Sequence, residues 1–136
     1  MEAESEPSVI ADAVLVPAHN SGDLKASYGL KHFASIEILP TQVIKAPPLS
    51  ELFAEGTEIY LPLLRGDDLN LSVTAAKKIL DERMVATPHL AARSVSDASQ
   101  LDEWLHELAE AGCNRLMLIA GDSLAHQGPY RDTLDV

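Results

Sequence analysis

"RLMLIAGDS", Arg115 to Ser123, is the stretch on which the reading of this chain turns. The apolar run from Leu116 to Ala120 passes directly into Gly121-Asp122-Ser123. A short, wholly apolar run that stops at a glycine turn reads as a buried strand of a parallel sheet, apolar on both faces. Similar runs stand at Ser35–Leu39, Glu58–Leu63 and Met84–Pro88. Helical spacing fills the gaps between the last three strands. Asn70 to Glu82 places Val73, Ala76 and Leu80 on one stripe, and Asp97 to Ala111 does so with Leu101, Trp104, Leu105 and Leu108. Ser96 is the expected N-cap of the second helix and Gly112 its stop. Leu49 to Ala54, after Pro47-Pro48, has room only for a short helix.

Strands alternating with helices imply right-handed crossovers and a parallel sheet, with helices over one face and a core filling the other. The fold expected is α/β, a partial TIM-type (β/α)8 barrel of about four parallel strands. Residues 34–136 form that half-barrel and residues 1–33 an N-terminal extension, partly disordered or helical. Within the extension, Ile10 to Val16 is compatible with helix or strand, "HNSGD" (His19 to Asp23) is a break, and Leu24 to Phe33 is a weak helix.

Composition narrows the function classes. The chain has 136 residues and is 46% hydrophobic, which suits one globular domain. Its 21 acidic and 10 basic side chains give a net charge of -11, which disfavours nucleic acid and anionic membranes as partners. No apolar run approaches the ~20 residues that span a bilayer. A single cysteine, Cys113, and an acidic start without a signal-peptide pattern point to a cytoplasmic protein.

Ligands of parallel α/β folds gather at the carboxyl ends of the strands. Polar residues fall there: Glu37 in "ASIEILP", His89 and Arg93 in "PHLAAR", Asp122 in "AGDS". Strand alternation puts Ile36 and Ile38 on one face and Glu37 on the other. Turned inward, Glu37 is partly desolvated, which raises its pKa and suits it to general-acid work; turned outward, it is a solvated glutamate on an edge strand. Asp122 is either turn chemistry after Gly121 or a site carboxylate. His89, held just past its strand by Pro88, is either a hydrogen-bonded structural histidine or a ligand contact. His19, His32, His106 and His126 show no metal-ligand spacing, and His106 sits among acids on a solvated helix face. Gly-rich nucleotide loops, GxSxG, CxxC and HExxH are absent from the sequence, and "RGD" at Arg65 to Asp67 reads as a polar turn.

"SIEILP" (Ser35–Pro40), "PHLAAR" (Pro88–Arg93) and "LIAGDS" (Leu118–Ser123) stand in the order and at the spacing found in methylenetetrahydrofolate reductases. "VTAAKKILDERM" (Val73–Met84) is similar to that family's second helix, and "GPYRDTLDV" (Gly128–Val136) to the segment after its fourth strand. The chain from about residue 34 onward thus resembles the N-terminal half of the family's β8α8 barrel, in a divergent bacterial branch. The resemblance implies FAD as cofactor, NAD(P)H as reductant, and conversion of 5,10-methylenetetrahydrofolate to 5-methyltetrahydrofolate. It matches Glu37 with the acid that protonates the folate and helps open its five-membered ring. Asp122 matches the aspartate whose charge tunes the flavin and stabilises a cationic folate. His89, Ala120 and Gly121 fall at cofactor-contact positions. Two positions depart from the pattern: Ala120 replaces an arginine, and Pro62 in "IYLPLL" replaces a threonine.

A complete barrel needs about 250 residues. Four strands make half of one, so a truncated product or fragment that self-associates through its open edges is expected. Two other functions fit the same residues. One is a metal-dependent barrel hydrolase or lyase using Glu37, His89 and Asp122. The other is a non-enzymatic folate- or flavin-binding half-barrel.

Overall fold

A computed structural model describes residues 15–17 and 34–136, Arg65 excepted. It contains β1 (Leu15–Pro17), β2 (Ala34–Glu37), α1 (Pro40–Lys45), β3 (Glu58–Leu61), α2 (Leu69–Asp81), β4 (Val85–Ala91), α3 (Ala98–Glu110) and β5 (Met117–Ile119). Short 3-10 turns stand at Leu49–Glu51 and Ala92–Ser94. The strands form one sheet in the order β1-β2-β3-β4-β5. The pairs β2–β3, β3–β4 and β4–β5 are parallel, and β1 adds to β2 antiparallel. The fold is therefore α/β with four parallel strands.

Strand order carries the architectural information. Each crossover joins neighbouring parallel strands and all advance in the same direction. Right-handed crossovers then lay every helix on one face. A doubly wound sheet would reverse its order and split the helices between both faces. The core agrees: Ile36, Ile38, Ile59, Leu61, Ala86 and Leu90 project from the sheet onto Val43, Val73, Ala76, Ile79, Leu101, Trp104 and Leu108.

Local chemistry explains the helix bounds. α1, absent from the sequence reading, begins at Pro40, whose fixed φ and missing N–H suit a first helical position. Gln42 Oε1 accepts from Leu39 N at 3.2 Å and closes its start. Asp68 caps α2 through Asn70 N (2.9 Å). α3 is capped by Asp97, not Ser96: the Asp97 carboxylate accepts from Gln100 N at 2.9 Å, while Ser96 bonds the Gln100 side chain. That backbone bond also holds the Asp97 carboxyl below the usual carboxylate range. Gly112 ends α3 with φ +85°, and Cys113 N reaches back to Leu108 O at 2.9 Å. The two long helices are locked by Trp104, whose Nε1 donates to Leu69 O and Ser72 Oγ, both at 3.0 Å. Of the turn read at Arg65 to Asp67, Arg65 lies outside the described residues, and Asp67 N bonds Leu64 O at 3.0 Å. The helix read over residues 24–33 lies outside the described residues. Of the run 10–16, only residues 15 and 16 are described, in β1.

Two expectations need correction. The strand read as Met84–Pro88 runs from Val85 to Ala91, so His89 is inside it rather than past its end. Pro88 does not stop β4 because it stands where pairing with β3 gives way to pairing with β5. Nor, among the described residues, does a second apolar core fill the face opposite the helices. That face carries Glu37, Glu58, Tyr60, Thr87 and His89, and Glu37 and Met117 are exposed on it. Among the described residues, no helix is long and apolar enough to cross a membrane.

Candidate functional site

Alternation selects the residues of the polar face. In β2 Ile36 is buried and Glu37 exposed, and Ile38, just after the strand, is buried again, as the parity of the strand requires. In β3 the pattern repeats, with Ile59 and Leu61 buried and Glu58 and Tyr60 turned the other way. In β4 the same parity puts Thr87 and His89 opposite Ala86, Pro88 and Leu90. Register then aligns the side chains across strands. Tyr60 is the Cα partner of Glu37 on one side and of Thr87 on the other, and His89 partners Met117.

His89 is the most informative of these groups. It is only 8% exposed, and its Nε2 has no hydrogen-bond partner among the described residues. Buried polar atoms are almost always paired, and leaving one unpaired costs about 1–3 kcal/mol. A structural histidine with both nitrogens satisfied is therefore not what stands here. Burial lowers the imidazole pKa below its ordinary range, and the Glu37 carboxylate works in the opposite direction. The ring is neutral at neutral pH, and its unpaired nitrogen can donate or accept according to tautomer. Tyr60 packs edge-on against it, with ring centroids 5.9 Å apart.

Below this pair, toward the amino ends of the strands, lies a charged lattice. Glu58 Oε1 accepts from Thr87 Oγ1 at 2.7 Å and from Arg115 Nη1 at 2.9 Å, tying β3, β4 and the approach to β5. A shallow depression of about 560 Å³ is lined by these residues with Tyr60, Met117 and Leu118.

The structure brings Glu37 and His89 onto one face within electrostatic reach. Asp122 is elsewhere on the rim: exposed, just past the carboxyl end of β5, and without a hydrogen bond or ion pair to Glu37 or His89. Gly121 turns the chain there with φ +94°, and a Cβ on it would press on Ala91 Cβ at 3.2 Å. Ala120 contributes main chain only, its carbonyl accepting from Arg93 N at 3.1 Å. The desolvation expected at Glu37 is not present, because its side chain is exposed. His106 is solvated, as its acidic neighbours imply, and pairs with Glu110 at 3.4 Å. Among the described residues, no group of three or more His, Cys, Asp or Glu side chains is placed to hold a metal ion.

Sequence reasoning missed Tyr60 and Thr87, although the parity argument used for Glu37 reaches both once register is known. No protein-family model matches the chain.

Proposed function

We propose that this chain forms the first four strands of a TIM-type barrel and serves as a cytoplasmic, flavin-dependent reductase of the methylenetetrahydrofolate reductase type, converting 5,10-methylenetetrahydrofolate to 5-methyltetrahydrofolate with NAD(P)H. The observation that carries the reading is the unpaired, buried His89 Nε2 beside Tyr60 on the face that bears Glu37. The sequential order of the parallel strands supports a barrel over a doubly wound sheet.

The residues present fit a flavin. Its rim of ring nitrogens and carbonyls matches an imidazole nitrogen that is desolvated and lacks a partner. His89 would hold that rim, and Gly121 would bring main chain to it at the carboxyl end of β5. Pro62 and Ala120 add no side-chain donor, so binding rests more heavily on His89 than the family pattern implies. When bound, the flavin supplies hydride transfer between nicotinamide and folate.

The chain's own groups supply the proton and the charge. Glu37 gives a proton to the folate ring nitrogen as that nitrogen's bond to the one-carbon bridge breaks. Its exposed position on the sheet face leaves the carboxyl open to a bound folate. Asp122 stabilises the cationic one-carbon unit electrostatically before hydride reduces it to a methyl group. The exposed Leu116, Met117 and Leu118 at β5 support self-association of this part of the chain. Glu37→Gln separates the steps: folate reduction is expected to fall by at least about 100-fold, the scale of general-acid catalysis. NAD(P)H oxidation by another acceptor is expected to persist. Undiminished folate turnover in this variant rules out the assigned role.

A further inference from the structure

The loop after β5 is fastened by one side chain. Arg93 Nη1 donates to the carbonyls of Gly121 (3.2 Å) and Ser123 (3.0 Å), the two residues that flank Asp122. Its Nε donates to Arg131 O at 2.7 Å. The Arg93 main chain adds two bonds, giving N–H to Ala120 O (3.1 Å) and accepting from Gln127 N (2.9 Å). The side-chain bonds all go to carbonyls, so this guanidinium acts as a rigid fork rather than as half of an ion pair. Two glycines complete the fastening. Gly121 takes a left-handed φ, and Gly128 lies so close to the main chain that a Cβ would overlap the Val95 and Ser96 carbonyl oxygens.

The outcome is a loop whose backbone is fixed on both sides of Asp122 while its carboxylate stays exposed, with no hydrogen-bond or ion-pair partner among the described residues. Turn chemistry does not account for this, because an Asx turn would spend the carboxylate on the loop's own N–H groups. From this arrangement we infer that Arg93 is the positioning residue for Asp122. It aims a free carboxylate at the ligand without touching the ligand itself. The inference rests on the proposed placement of Asp122 beside flavin and folate.

Two independent readouts test it. The first is amide hydrogen exchange of the full chain. In Arg93→Lys, which keeps the charge but cannot reach three carbonyls, exchange at Gln127 and its neighbours in the loop is expected to quicken about tenfold or more, while core amides of β3 and α2 hold their protection. Unchanged exchange at Gln127 overturns the fastening. The second is FAD affinity in a double-mutant cycle. Arg93→Lys and Asp122→Asn should each weaken binding, and the double variant should be no weaker than Asp122→Asn alone. Losses that add show that Arg93 does not act through Asp122. Gly128→Ala, which displaces the loop with Arg93 intact, should weaken binding in the same non-additive way. If the native chain and Asp122→Asn bind FAD equally, the placement of Asp122 beside flavin is wrong and the positioning role falls with it. The fastening of the loop is then judged by exchange alone.

Discussion

Tyr60 meets His89 edge-on, with ring centroids 5.9 Å apart and ring planes at 68°. The contact joins β3 to β4 on the face away from the helices, and its Tyr60 side is in register with Glu37. Beside this contact, His89 Nε2 stands without a hydrogen-bond partner among the described residues. A carboxylate, a phenol and an imidazole thus stand across three adjacent strands by parity and register alone.

An unpaired buried nitrogen costs stability that an apolar side chain would not. His89→Leu should therefore stabilise the unliganded chain by about 1 kcal/mol, the net of a relieved polar atom and imperfect packing. Urea unfolding at neutral pH measures it. A clear loss of stability would show that Nε2 is satisfied in solution.

The pH dependence follows from the same burial. His89 titrates lower in the folded chain than its ordinary 6.5, chiefly through desolvation. Between the folded value and 6.5 the unfolded chain binds more protons, so stability rises with pH across that window and is lost as pH falls through it. His89→Leu should remove this part of the slope. Because the Glu37 charge raises the imidazole pKa, Glu37→Gln should move the His89 titration lower still, as followed by NMR of the ring protons. A shift upward would contradict the geometry.

Trp104→Phe probes the helix layer. It removes two indole hydrogen bonds at 3.0 Å, to Leu69 O and Ser72 Oγ, from a fully packed junction between α2 and α3. A loss of about 1–2 kcal/mol is expected, read from the urea midpoint. An unchanged midpoint would mean the two helices do not meet as described.

The parallel strands and the two long helices were legible because their signals are local: apolar runs with glycine turns, and apolar stripes at helical spacing. Glu37 was legible for the same reason, since its buried neighbours Ile36 and Ile38 fix its direction. Pro40 and Pro88 misled in opposite ways. A proline ends one element and starts another equally well, so α1 went unseen. Inside a strand it is tolerated where ladders change, so His89 was placed too late. Burial of Glu37 and His89 depends on residues far away in sequence, which is why one was expected to be desolvated and is not. The carbonyl contacts of Arg93 span about thirty residues of chain and leave no local trace.

A titration of the chain with FAD, followed by quenching of flavin fluorescence and repeated with His89→Leu, tests the central claim most directly. Saturable binding of one flavin per chain, weakened at least about tenfold when His89 is lost, is the predicted result, a factor equivalent to ~1.4 kcal/mol. Failure to saturate, or equal affinity in the two proteins, would contradict it.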